Sequence, residues 1–312
     1  MKPTEHPPAA AAGPGSNPVT ALLPPWDGRD LLGLLSLRET GSDRFASQYA
    51  RSNANGAMFG GQLIGQALMA AHLTAPPSRA PHAFHGFFLR PGSGSRALDF
   101  AVERVRDGGS FSHRRVVVSQ EQRTIFTADV SFHEGESGDD QAHSLPAEVL
   151  PPEALPSLAE MISRDGHRLP PAAFRRMARP TADVEIRIPD LEALVSRQSS
   201  NAPAMYWLRA VQALPDEPRW HAAALGYLSD YWLAAPFRML PGAPHHTGEI
   251  LISSLDQALW IHRPFRADDW LLMVHEIPTE QHGRRFNRAQ IFDRDGRLVA
   301  SSAQEALMRL VG

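Results

Sequence analysis

Apolar residues first gather at helical spacing in "DLLGLLSLRETG", where Leu31, Leu32, Leu34 and Leu35 predict a short helix. After the Asn55-Gly56 turn signal, "FGGQLIGQALMAAHL" sets Leu63, Ile64, Ala67, Leu68 and Ala71 on one helical stripe, closed by Pro76-Pro77. Gly60, Gly61, Gly65, Ala67, Ala70 and Ala71 give this helix little side-chain bulk. A helix so trimmed can approach a neighbour closely, which predicts that it is buried and wrapped by a sheet.

The period then shortens to two. "HAFHGFFL", "LDFAVERVR", "SFSHRRVVVSQ" and "TIFTADVSF" read as four strands, with "RDGG" and "EQR" as turns. Residues 135–215 are Pro-rich and poor in strand signals; "LEALVSRQ" and "MYWLRAVQAL" predict short helices there. The second half repeats the first order. "ALGYLSDYWLAAP" is helix-like, and "ILISSLDQALWIHRPF", "WLLMVHEIPTEQ", "RRFNRAQIFD" and "LVASSAQEALMRL" read as strands. A constant offset of 173 carries Arg90-Pro91 onto Arg263-Pro264, Leu98 onto Leu271, Glu103 onto Glu276 and Arg115 onto Arg288.

These identities are few, but the shared order of helix, strands and turns makes a duplication plausible. The expected architecture is α+β: two antiparallel sheets, each curved around a helix, able to join edge to edge. The chain divides into a disordered tail (1–25), a first unit (26–134), an interdomain segment with short helices (135–215) and a second unit (216–312).

Composition narrows the chemistry. A formal net charge of −3 over 312 residues gives no reason to expect nucleic acid as a partner. The absence of cysteine excludes a disulfide scaffold, a thiolate nucleophile and a sulfur-based zinc site. No apolar run reaches membrane-span length. The Pro- and Ala-rich start does not read as a signal peptide, and "MRLVG" carries no Ser-Lys-Leu address; a cytoplasmic location is expected.

No Gly-x-Ser-x-Gly elbow occurs, and "GGQLIGQ" lacks the Lys of a phosphate loop. His82 and His85 stand three apart on a strand and should face opposite sides, and His245-His246 lie in a Pro/Gly loop; neither pair suggests a metal, and no cofactor is implied. One oddity remains. In "GYLSDYWL", Asp230 is a lone carboxylate among Leu228, Tyr231, Trp232 and Leu233. A buried carboxylate must be paired, protonated or used. From the residues alone, Asp230 could equally cap a helix over "YWLAA", Ser254 could be a solvated strand serine and Gln304 an exposed strand residue.

The blocks "FGGQLIGQAL", "HGFFLRPG", "RDGGSFSHRRV", "SDYWL", "ISSLDQALWIHRPF" and "SSAQEALMR" resemble, in order, those of acyl-CoA thioesterase II, the double-hotdog thioesterase family. The resemblance spans about Leu31 to Arg309 and is weakest across 135–215. It implies a double-hotdog fold and hydrolysis of acyl-CoA, with a medium to long acyl group, to free fatty acid and coenzyme A. Carried over by motif, Asp230, Ser254 and Gln304 match the Asp, hydroxyl residue and Gln that hold a water against the thioester. Asp230 would be the general base, and backbone N–H groups at a helix N-terminus would steady the oxyanion.

Two departures stand out. Gln257 occupies the usual His position after the aspartate of "T-x-D-H", and Arg285 replaces the Gly of Arg-Gly-Phe; the added arginine could reach a coenzyme A phosphate, although an exposed arginine is the plainer expectation. One active centre per chain is expected, because the first half lacks an aspartate in an equivalent setting. Phe59, Tyr231, Trp232 and Trp260 are candidate linings of an acyl tunnel or plain core. The rivals are a non-catalytic acyl-CoA binding protein on the same fold and an enoyl-CoA hydratase. Free sheet edges suggest a homo-oligomer, dimer or tetramer.

Overall fold

A computed structural model describes residues 23–24, 26–53, 56–145, 149–168, 182–188, 203–231 and 249–311. The bulk of the assigned tail, the segment "LEALVSRQ", Trp232 and His245-His246 lie outside the described residues.

The first half opens with helix α1 (Leu31–Leu35), the hairpin β1 (Leu37–Gly41) and β2 (Arg44–Ser47), and helix α2 (Gly60–Leu73). Strands β3 (Ala80–Phe88), β4 (Asp99–Asp107), β5 (Phe111–Gln120) and β6 (Arg123–His133) follow. The middle contributes α3 (Leu158–Asp165), β7 (Val184–Arg187) and β8 (Ala204–Ala210). The second half has α4 (Pro218–Ser229), β9 (Glu249–Ser254), β10 (Asp256–Ile261), β11 (Leu271–Gln281), β12 (Arg284–Asp293) and β13 (Leu298–Val311). No helix among the described residues is long and apolar enough to cross a membrane.

The strands form one sheet in the order β1-β2-β4-β5-β6-β3-β10-β13-β12-β11-β8-β7, with β9 added on β13. The two half-sheets join edge to edge where β3 pairs antiparallel with β10. This is the α+β arrangement expected from the repeat and the double-hotdog fold that the resemblance implied. The register reproduces the offset of 173: Glu103 pairs with Arg115 on β4/β5, and Glu276 with Arg288 on β11/β12. His85 and Ala258, also 173 apart, face each other across the central pair, as a pseudo-twofold axis through that pair requires.

Helices α2 and α4 pack against each other inside the curve of the sheet, sharing one hydrophobic core with both half-sheets. The small residues make this possible. A Cβ on Gly61 would come 2.4 Å from the Tyr227 carbonyl oxygen, and one on Gly65 would come 2.7 Å from that of Ala223. The helices therefore touch backbone to backbone, and α2 is buried along most of its length.

Several elements differ from the sequence reading. "MYWLRAVQAL" is not a helix; its first part forms β8. Tyr206 and Leu208 enter the main core, whereas Trp207 enters a second cluster with Leu155, Trp270, Leu272, Val274 and Phe292 on the opposite face. A strand buried on both faces shows no alternation, so its apolar run imitates a helix. The β1/β2 hairpin escaped detection because β1 is almost wholly exposed and carries no apolar period. The helix placed over "ALGYLSDYWLAAP" begins earlier, with Pro218 at its first turn, and ends at Ser229. His82 and His85 do not face opposite sides: the register slips between Pro81 and Ala83, so His82 meets Ser131 and His85 meets the Trp260 ring edge to face, both on the outer face.

Candidate active site

Asp230 lies at the C-cap of α4, and the helix considered over "YWLAA" falls, beyond Tyr231, outside the described residues. Its own helix offers it carbonyl groups, an unfavourable end for a carboxylate. The compensation comes from α2, whose N-cap residue Phe59 supplies no side-chain cap. The Gly61 amide donates to Asp230 instead. Gly60 leaves room for this approach, since a Cβ there would sit 2.7 Å from Asp230 Oδ2.

The three residues singled out by motif converge. Gln304 on β13 donates its Nε2 to Asp230 Oδ1 at 3.0 Å, and the Ser254 hydroxyl at the end of β9 also bonds to Asp230. β9 lies on β13, with Ser254 opposite Ala306, which brings both side chains to one spot. Burial pushes the Asp230 carboxyl up to about 6. The Gln304 amide, the Gly61 N–H, the nearby Arg51 guanidinium and Ser254 pull the other way, in that order. Asp230 keeps a little solvent contact, but its surroundings are packed enough that desolvation prevails.

Gln304 is fully buried and belongs to a relay whose direction is fixed. Ser302 Oγ donates to the Ala258 carbonyl, so it accepts from Gln257 Nε2 at 2.6 Å. Ser229 Oγ donates to the Gly226 carbonyl at 2.9 Å and lies 3.4 Å from the same Gln257 nitrogen. Gln257 Oε1 must then accept from Gln304 Nε2, at 2.8 Å. The second Gln304 N–H is left for Asp230, and the amide cannot be reversed without setting oxygen against oxygen. Gln304 thus presents a donor to Asp230, which favours the ionised carboxylate. Among the described residues, Gln304 Oε1 and Asn287 Oδ1, on register partners of β13 and β12, are buried acceptors that meet no donor.

Sequence reasoning treated Gln257 as a peripheral departure and missed Ser229, Ser302 and Asn287. A signal was available for the strand residues, since Gln257, Asn287 and Ser302 occupy inward phases of otherwise apolar strands. It also missed Arg51 and Asp183. Arg51 Nη1 lies 3.0 Å from the buried carboxylate of Asp183, within a group of Trp26, Phe59, Tyr227 and Tyr231 rings.

Other candidates fall away. Arg285 is buried and paired with Glu280 at 2.7 Å, so it is not the exposed arginine expected, nor placed for a phosphate. The turn preceding it takes its left-handed angles at His282 and Gly283, upstream of the lost glycine. Trp260 is on the outer face, edge to face with His85, and lines no interior tunnel. Phe59 and Tyr231 do sit beside the centre, with ring centroids 5.2 Å apart.

Among the described residues, the first half holds no second copy of this centre. His85 pairs with Asp129 and Ala258 with Ala303, so Gln304 corresponds to Val130 rather than to Ser131. Asn287 corresponds to Arg114, which is fully buried and bonds the Thr74 carbonyl at 2.9 Å and Asp107 at 2.8 Å. The counterpart position is filled by an arginine tying down the end of α2.

Two family profiles match the chain: "Acyl-CoA thioesterase N-terminal domain" over residues 50–133 and "Acyl-CoA thioesterase C-terminal domain" over 152–308. Acyl-coenzyme A thioesterase 8 of Homo sapiens is 31% identical over 295 residues, covering 92% of this chain and 92% of that protein. Acyl-CoA thioesterase 2 of Haemophilus influenzae is 30% identical, covering 81% and 87%. Among solved structures, an acyl-CoA thioesterase II from Mycobacterium marinum superposes with a TM-score of 0.71 at 31% identity, over 90% of this chain and 97% of that one. A hot dog fold protein from Alicyclobacillus acidocaldarius, at 19% identity and TM-score 0.67, covers 90% of this chain and 98% of its own and shares the fold.

Proposed function

The chain belongs to the acyl-CoA thioesterase II family and is a thioester hydrolase, and from that premise we propose that it cleaves acyl-CoA with Asp230 as general base. A water held by Asp230, Ser254 and Gln304 attacks the thioester carbonyl as Asp230 takes its proton. The carbonyl oxygen becomes an oxyanion, steadied by a backbone N–H at the start of α2 that Asp230 leaves free. The tetrahedral intermediate then collapses, the carbon–sulfur bond breaks, and the proton returns from Asp230 to the departing coenzyme A thiolate. Free acid and thiol leave together, with no covalent intermediate on the protein.

The observation that carries this reading is the convergence on one carboxylate of Gln304, Ser254 and the Gly61 amide. Each donor stabilises the ionised form that a base needs, while burial holds the carboxyl near 6, close to working pH. Gln304 Oε1, a buried acceptor without a protein donor, suits the second hydrogen of the water. The test is release of free thiol from palmitoyl-CoA and a series of shorter acyl-CoAs, followed with a thiol reagent. Wild type should release thiol and Asp230→Asn should not. A wild-type protein inert across all chain lengths would instead fit a binding protein on the same fold.

A further inference from the structure

Arg51 lies in the loop between β2 and α2, and its guanidinium reaches residues far along the chain. Its Nη1 is 3.0 Å from Asp183 Oδ2. Asp183 is 1% exposed and also accepts from the hydroxyls of Tyr227 and Tyr231, the latter at 3.0 Å. The guanidinium stands 4.6 Å from the Phe59 ring centroid and 5.2 Å from those of Tyr227 and Tyr231, with Trp26 at 5.3 Å. Cations prefer such ring faces, and the preference grows where water is excluded. The Arg51 backbone is braced as well: its N–H donates to Gln62 Oε1 at 2.8 Å, and its carbonyl accepts from the Phe59 amide at 2.9 Å.

Tyr227 and Tyr231 bracket Asp230 along the chain, and the Tyr231 carbonyl is held by the Tyr206 hydroxyl at 3.0 Å. The loop that carries Arg51 also leads into Gly60 and Gly61. One cation therefore grips both helix ends that meet at Asp230. We propose that Arg51 is a positioning residue for the hydrolysis: anchored by Asp183 within the aromatic group, it fixes the end of α4 and biases Asp230 toward its ionised form. This rests on the reading of Asp230 as general base.

The other charged or titratable groups near Asp230 leave this role to Arg51. Asp183 stands behind the guanidinium, and burial pushes its carboxyl upward while Arg51 opposes the rise. Tyr231 is held protonated by burial, its hydroxyl moved well above the usual range. Tyr227 donates to Asp183. Asp256 and Glu305 occupy the opposite phase of their strands from Gln257 and Gln304. Arg285 is taken by Glu280. The described face of α2 toward Asp230 offers only Gly60, Gly61 and Gln62.

The experiment is the pH dependence of kcat/KM for palmitoyl-CoA in wild type, Arg51→Gln, Arg51→Lys and the double variant Arg51→Gln/Asp183→Asn. Losing the cation should move the acidic limb of Arg51→Gln upward by about one pH unit, so the defect is roughly tenfold at low pH and shrinks above pH 8. Arg51→Lys should return the limb toward the wild-type position. The double variant removes both partners of the ion pair together, so Asp183 is not left buried and unpaired, and should keep the upward displacement. A limb that stays put in Arg51→Gln, or a loss equal at every pH, overturns the inference while leaving Asp230 as base. An Asp230→Asn protein that still hydrolyses with the wild-type profile removes the reading beneath it.

Discussion

The Gly61 amide donates to the Asp230 carboxylate across the contact between the first turn of α2 and the last turn of α4. The donor comes from the first half of the chain and the acceptor from the second. Neither unit alone holds the base in this environment, which gives a physical reason for two hotdog units to stay in one polypeptide.

Replacing the carboxylate separates catalysis from stability. Asp230→Asn keeps the shape but removes the base, so thiol release is expected to fall at least about 100-fold. A variant retaining a tenth of wild-type activity would rule out Asp230 as the base.

The same carboxylate sets a sign for stability against pH. Its folded value, about 6, lies above the ordinary 3.8. Between those values the folded protein holds the extra proton, so this group's contribution to stability falls as pH rises through that window. Asp230→Asn removes the slope and should be more stable than wild type at pH 7 by about 1–2 kcal/mol, discounted for partial solvent contact. Urea unfolding at pH 4 and pH 7 measures this; no gain at pH 7 would contradict it.

Gln257 orients Gln304 by accepting its other N–H at 2.8 Å. Gln257→Leu leaves that N–H without its acceptor and removes the donor to the Ser302 oxygen, costing about 1–3 kcal/mol of stability. It also frees the Gln304 amide to turn, so kcat should drop about tenfold with KM little changed. Steady-state kinetics that show only a KM effect would place Gln257 outside the relay's catalytic role.

Glycines at the helix contact differ in tolerance. An alanine Cβ at Gly61 meets the Tyr227 carbonyl at 2.4 Å, whereas at Gly226 it meets the Leu68 side-chain end at 2.6 Å. Backbone cannot yield as a leucine rotamer can. Gly61→Ala should therefore cost about 2–3 kcal/mol and displace the amide that caps Asp230, and Gly226→Ala should cost less. Thermal unfolding of the pair decides it; equal losses would mean the helices separate freely.

Much of the architecture was legible because it is periodic. The alternation in β4 and β5 reflects burial of one face, and a one-faced element writes its geometry into the chain. Legibility failed where burial was two-sided, as in β8, or absent, as in β1. The motif residues Asp230, Ser254 and Gln304 were found by resemblance; their convergence could not be read from their spacing along the chain.

By itself the sequence determined which segments have an apolar face and that a carboxylate is embedded among apolar residues without a nearby cation, and it pointed to a repeated unit. Tertiary structure alone decided what surrounds that carboxylate. Gly61, Arg51, Asp183, Gln257 and Gln304 reach it or its helix from four separate stretches of the chain, through antiparallel pairing and a helix contact that depends on missing side chains. Hydrogen bonds and Coulomb forces act over a few ångströms of space whatever the distance along the chain, so local pattern could show the need for partners but not their identity.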